Sequence, residues 1–388
     1  MGLADAIEEL RLLDHHVHTV LPGAVARADF EGYLTESDQP APAGTTQFDS
    51  QLGFAVRRWC APVLGLEPAA SPDDYLAGRN ALAAGQVTSR LLTAAGCATL
   101  LVDTGYIAPG SLTLAELGAQ SGAAVHEIVR LETVAADLAL AGCSAADFGA
   151  RYAELLAERT IDAVGLKSVV AYRYGLDFEP ARPSRHEVRA AAGPWLRTVE
   201  TTGRARLADP VLLRAVLWAG VDRGLPLQFH TGFGDPDLDL RRANPAMARD
   251  FLAAVSQIGV PVILLHTYPF HREAAFFAQA YPNVYFDVGM TLHYVGARAH
   301  AVLAEALELA PFGKVLYSSD GFGVPELIYL GARMWRIAMT KVLGDWVAAG
   351  HWTESDAIRI AGLIAAGNAA RIYRLPPRSA DQVTGSQA

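Results

Sequence analysis

The chain has 388 residues, 51% hydrophobic and 19% charged, with a formal net charge of −9. A mean hydropathy of +0.19 and a pI near 5.7 mean ample apolar material for a large core and exclude a disordered composition. No Lys/Arg-rich run occurs and no apolar stretch of membrane-spanning length lacks a charge or a turn signal, so neither nucleic acid nor a membrane is an expected partner.

The three cysteines, Cys60, Cys97 and Cys143, are widely spaced and form no Cys-x-x-Cys. Neither a disulfide framework nor a thiolate zinc site is indicated, and a reducing compartment is expected. The acidic stretch Met1–Glu9 lacks the basic and apolar regions of a signal peptide, which points to the cytoplasm. The length admits two or three domains or one α/β barrel.

In chain order, a short apolar run first reaches Asp14-His15-His16-Val17-His18. In an extended strand, positions i and i+2 face the same way, so His16 and His18 can reach one metal ion together. A polar strand end is the plainer reading of so short a pattern. Residues 19–95 are a long excursion, Gly/Pro/Thr-rich at first and helical in pattern over 51–65 and 72–95, with Ser71 as N-cap and Pro72 at the first helical position. Further strands are expected at 98–103, 124–132, 163–170, 226–231, 261–266, 284–288 and 314–320. Helix-length segments separate them, apart from a charged, Pro-containing stretch over 177–206. Eight nearly continuous apolar strands alternating with helices describe a parallel sheet covered by helices. Eight is the number that closes a (β/α)8 TIM-type barrel. The rival, an open doubly wound sheet, would be favoured by Gly-x-Gly-x-x-Gly after the first strand, and none is present. The expected organisation is α/β: one barrel over 1–375 with a helical insertion at 19–95 after the first strand, then a disordered polar tail at 376–388.

In a barrel, function sits at the C-terminal ends of the strands. Those ends carry His16 and His18 on the first strand, Lys167 on the fourth, His230 on the fifth, His266 on the sixth and Asp320 on the eighth. A lone strand-end histidine is usually an ordinary polar residue, but four histidines and an aspartate at one end of a barrel point to a metal. Nitrogen and oxygen donors without sulfur suit Zn first, with Mn, Fe or Ni as alternatives.

This constellation resembles the amidohydrolase superfamily, specifically its amidohydrolase-related branch. The likeness runs from Asp14-His15-His16-Val17-His18 through His230 and His266 to Ser319-Asp320-Gly321 and Gly367-Asn368-Ala369-Ala370-Arg371-Ile372-Tyr373. The stretches at 166–176, 230–241 and 318–322 are similar to the amidohydrolase domain that some fungal and plant proteins carry fused to a glutamine-synthetase-like domain. The resemblance implies that His16, His18, His230 and Asp320 hold a divalent metal, which lowers the pKa of water towards neutrality. It implies that Asp320 serves as general base and that His266 stabilises charge on the substrate carbonyl, transfers a proton or binds a second metal. Lys167 would be carboxylated and bridge two ions, or stay unmodified and hold a carboxylate or an oxyanion. One ion and two therefore both remain open. An unpaired ammonium in an apolar strand is costly, so a partner or a modification is required.

Tyr172 and Arg173, past the fourth strand, and Asp235, Asp237, Asp239 and Arg241, past the fifth, are candidates for the substrate. Arginine suits a carboxylate and aspartate an ammonium, together an amino-acid head group such as a γ-glutamyl moiety. The alternative is that these charges pair with one another and shape the loop. His15, His126, His271, His293, His300 and Glu132 are outside candidates. The leading expectation is metal-dependent hydrolysis of a C–N amide bond in a small molecule by a chain that is either monomeric or a homo-oligomer. A non-oxidative decarboxylase or lactonase on the same residues is the second, and a non-catalytic scaffold the third.

Overall fold

Seven of the expected apolar runs form strands among the described residues, 2–376 of this computed structural model. They are β1 (Leu12–Val17), β2 (Cys97–Asp103), β3 (Ala124–Arg130), β4 (Gly165–Ser168), β5 (Leu227–Thr231), β6 (Val262–His266) and β7 (Val284–Phe286). Residues 377–388, most of the expected polar tail, lie outside the described residues. The chain divides into two compact units. One comprises the segments up to Val102, Tyr106–His126 and from Val288 onward; the other comprises Asp103–Gly105 and Glu127–Asp287.

In the first unit, β1 pairs in parallel with β2, Leu12 opposite Cys97 and Val17 opposite Val102. Every residue of β1 is buried. On its other edge lies the stretch expected to be the eighth strand. Here the structure corrects the expectation. Phe312–Lys314 is a 3-10 turn, and Asp320 has φ +52°, a left-handed value that breaks any strand. The stretch nevertheless hangs on β1: His15 N–H donates to the Tyr317 carbonyl (3.3 Å), Asp320 N–H to the His16 carbonyl (3.0 Å) and His18 N–H to the Gly321 carbonyl (2.9 Å).

Between β1 and β2 the described elements are helical. The segment from Gln51 is helical through Leu64, with a wider π turn at Val56–Cys60, and ends on left-handed Gly65. The single helix expected over 72–95 is two, Pro72–Asn80 and Gln86–Ala95, parted at Gly85 with φ +82°. Ser71 caps the first as expected, its side chain accepting from Asp74 N–H. This region is tied to the helix Pro325–Ala348 by a fully buried ion pair: Arg79 Nε donates to Glu326 Oε1 at 2.6 Å, and the Tyr75 hydroxyl donates to the same oxygen at 2.9 Å. Buried Arg336 of that helix donates to the Ala95 carbonyl (2.9 Å) and the Leu10 carbonyl (3.0 Å), satisfying acceptors left over at a helix end.

In the second unit, which takes β3 from Glu127 onward, β3 to β7 pair in sequence, all parallel. The helix Leu131–Leu140 follows β3 without a loop, so Glu132 opens a helix instead of ending a strand. The stretch 177–206 contains the helix Arg185–Thr202, announced by a capping box in which Ser184 and Glu187 bond each other's backbone.

No described helix is long and apolar enough to cross a membrane. The Arg79–Glu326 pair yields a prediction. Truncating one buried partner strands the other's charge, so Glu326→Ala should cost about 3–5 kcal/mol in chemical denaturation, while an apolar replacement of both residues should cost less. Equal losses in the two variants would count against the pair as the tie.

Candidate functional site

The turn that carries Asp320 is built from β1. Asp14 is buried and points one carboxylate oxygen across the strand edge, where it accepts the N–H groups of Ser319 (3.0 Å) and His16 (3.3 Å). Burial pushes the Asp14 carboxyl up to about 7, with these hydrogen bonds drawing it down and the charge of Asp320 adding to the rise. The Ser319 hydroxyl oxygen in turn accepts from Gly321 N–H at 3.0 Å. Held on both sides, Asp320 keeps a backbone conformation that ordinary residues avoid, and such strain tends to mark functional positions.

His16 and His18, alternating along the strand, both turn to this carboxylate. Oδ1 of Asp320 stands 3.1 Å from His16 Nε2 and 3.5 Å from His18 Nε2, and all three side chains are nearly buried. Two imidazole nitrogens and a carboxylate oxygen are suitable donors for a zinc-like cation. Donors about 2.1 Å from one tetrahedral ion stand about 3.4 Å apart, and the two observed separations bracket that value. The residues fit a metal. His15, one position along, faces the other way, its Nδ1 3.2 Å from the Tyr373 hydroxyl in the closing motif.

The second unit gathers another group. The His230 ring lies 4.4 Å from that of Tyr172 and 4.8 Å from that of His266. Gly234 makes the first contact possible, because a methyl group there would overlap the Tyr172 hydroxyl. His230 Nε2 is 3.1 Å from the Phe233 carbonyl, an oxygen that can only accept. His266 is left-handed at φ +67°, and its N–H donates to buried Asp287 at 2.9 Å. Lys167 is 2% exposed, in register with Arg130 on one side and Gln228 on the other. Buried Glu132 accepts from the Ser168 hydroxyl (2.6 Å) and Val169 N–H (3.1 Å), and so shapes the exit of β4. Burial raises its carboxyl above the ordinary range.

Arg173 is largely buried, and its Nε has no hydrogen-bond partner among the described residues. Burial, then the like charges of Arg206 and Arg130, hold the guanidinium below its usual pKa, against the opposing pull of Glu132 and Asp237. Asp235 is raised by burial and by Asp237, and lowered by Arg173 and Arg206. Arg206 pairs with Asp237 at 2.9 Å. Arg173, Asp235, Asp237 and Arg206 therefore form one cluster. Arg241 is apart from it: its side chain is 89% exposed and pairs with Asp239 at 2.8 Å. Among the outside candidates, His271 stacks on Tyr268 (centroids 5.9 Å), His293 is buried in the helix Gly289–Val295, and His126 and His300 are half-buried.

Comparison with known proteins fits this geometry. The model of the amidohydrolase family matches residues 115–375. The chain belongs to the amidohydrolase family. Protein fluG of Emericella nidulans (strain FGSC A4) is 35% identical over 250 residues, 60% of this chain and 28% of that protein, so this amidohydrolase spans less than a third of that relative. A crystal structure from Lactobacillus casei ATCC 334, described as a metal-dependent hydrolase, superposes with a TM-score of 0.84 at 28% identity, over 96% of this chain and 97% of the other. A uronate isomerase from Bacillus halodurans C-125 shares the fold, with a TM-score of 0.63 at 13% identity over 96% of each chain.

Sequence reasoning assigned no role to Asp14, Ser319, Asp287 or Arg206. The Asp two residues before the His-x-His pair was visible; its partner, some 300 positions later, was not. If Asp14 sets the Asp320 turn, Asp14→Leu should weaken divalent-metal affinity about 10- to 100-fold. Asp14→Asn, which keeps an acceptor oxygen, should retain most of it. Equal affinities by calorimetry in both variants would contradict the positioning role.

Proposed function

We propose that the protein hydrolyses a C–N amide bond of a small molecule, with γ-glutamyl amides as the leading substrate class. The observation that carries the reading is the convergence of His16, His18 and Asp320, with imidazole-to-carboxylate separations of 3.1 and 3.5 Å. These three residues would hold a divalent metal, Zn before Mn, Fe or Ni, with His230 as the further ligand that the resemblance implies. When bound, the metal lowers the pKa of water and polarises a carbonyl oxygen.

Asp320 takes the proton of the attacking water and returns it to the nitrogen of the departing amine, so that one water is consumed and one acid and one amine are released. His266 stabilises the negative charge that develops on the carbonyl oxygen. A single ion is the simpler arrangement, with Lys167 donating to a substrate oxygen; a carboxylated Lys167 would instead bridge two. Arg173 takes a substrate carboxylate and Asp235 the neighbouring ammonium. The buried Nε of Arg173 supports this assignment, because a partnerless polar group away from water is costly and a carboxylate would relieve it.

The fold reading that accompanies this proposal is a TIM-type barrel in which the irregular stretch 314–320 takes the eighth place beside β1, with residues 19–95 inserted after the first strand. The buried free thiols of Cys60 and Cys97 support a reducing, cytoplasmic location. A non-oxidative decarboxylase or lactonase on the same residues is the second reading, favoured by the Tyr106 ring 5.8 Å from that of His18.

Asp320→Asn should lower turnover by about 10³-fold or more with an unchanged circular dichroism spectrum; near-normal release of amine would sink its role as base. The double variant His16→Ala, His18→Ala should lose its metal by elemental analysis. Arg173→Ala should raise KM for a γ-glutamyl amide about 10- to 100-fold, and an unmoved KM would remove it from the substrate site. A screen of γ-glutamyl amides against aromatic acids, read by released amine or CO₂, separates the first reading from the second.

A further inference from the structure

Three aromatic side chains of the first unit line up beside the metal-binding triad. The ring of Tyr106, just after β2, stands edge-on to His18 with centroids 5.8 Å apart. Phe322, two residues past Asp320, is 6.4 Å from Tyr106, and Tyr33, at the end of the helix Arg27–Gly32, is 5.8 Å from Phe322. All three contacts are T-shaped. Gly323, at φ +65°, makes room for the last ring, since a methyl group there would overlap Tyr33. Tyr106 is 48% exposed, and Tyr33 and Phe322 are half-buried. The Tyr33 hydroxyl is pushed above its ordinary pKa by burial, with Tyr106 and Asp29 adding to it.

We propose that Tyr33, Tyr106 and Phe322 form a subsite for an aromatic ring of the substrate, beside the bond that reacts. The occupant is argued from continuity: the row begins in contact with His18 and follows Asp320 by two residues, so a molecule reacting at the triad carries its neighbouring group along these rings. None of the three side chains bears a charge at neutral pH, and part-exposed rings in edge-to-face order offer faces and edges on which another ring packs. The excursion after β1 thereby acquires a role, since it supplies Tyr33. The proposal rests on the reading of His16, His18 and Asp320 as the reacting centre.

The test measures binding rather than turnover. Ligand-observed NMR titrations of the wild-type chain compare benzylamine with methylamine, and benzoate with acetate. The expected result is that at least one ring-bearing probe binds about tenfold or more tightly than its methyl counterpart. Tyr106→Ala and Phe322→Ala should each remove most of that preference, while methylamine and acetate are unaffected. Tyr106 is half-exposed, so its variant should fold; Phe322→Leu serves if Phe322→Ala does not, as judged by circular dichroism. A preference confined to benzylamine places the ring on the departing amine, and one confined to benzoate places it on the acid. Equal affinities of ring and methyl probes, or a preference retained in both variants, would overturn the proposal. A chain that favours the ring yet releases no amine from any γ-glutamyl amide would sink the substrate reading and leave the subsite standing.

Discussion

The hydrogen bonds between β1 and the stretch that carries Asp320 are the constraint on which the rest depends. They run from His15 to Gly323 and bring together residues about 300 positions apart in the chain. Backbone pairing alone would lay the second stretch out as a strand and point Asp320 along its pleat. The carboxylate of Asp14 changes that, because it accepts Ser319 N–H where a ladder partner would otherwise stand. Asp320 is then free to turn left-handed and present its side chain to His16 and His18. A metal site needs donors fixed to a few tenths of an ångström, and this candidate set takes its precision from main-chain geometry rather than from loose side chains.

The same device recurs in the second unit. His266 is also left-handed, and a buried carboxylate, Asp287, receives its N–H. In both places a buried aspartate accepts a backbone N–H at a left-handed turn, Ser319 before Asp320 in one and His266 itself in the other, and so fixes the direction of a side chain. Such carboxylates are costly to bury, as the raised Asp14 shows, and that cost is met because the alternative is an unsatisfied peptide N–H. Glu132 does comparable work for the exit of β4 behind Lys167.

Helical segments after β1 add a further layer. Their anchor is electrostatic and internal: Arg79, Glu326 and Tyr75 share bonds away from water. Because Glu326 lies six residues past Asp320, the anchor holds this region near the triad, and Tyr33 comes to rest beside Phe322.

The sequence by itself determined which side chains were candidates to hold a metal. Alternation along β1 placed His16 and His18 on one face, and apolar runs of strand length located seven strands closely enough to identify where their ends lie. The Ser71-Pro72 start and the Ser184–Glu187 box obey local rules, although the second was overlooked among charges and prolines. Only the tertiary structure decided the rest. Strand eight looked like a strand because its residues are apolar, and periodicity cannot see a left-handed residue held by a partner 305 positions away. Arg173 and Arg241 looked equivalent; one has a buried Nε within a cluster of both charges, with Arg206, Asp235 and Asp237, and the other is tied to Asp239 in solvent. Local patterns report what each segment prefers. Which carboxylate meets which N–H, and which ring meets which, depends on contacts made only after the chain has folded.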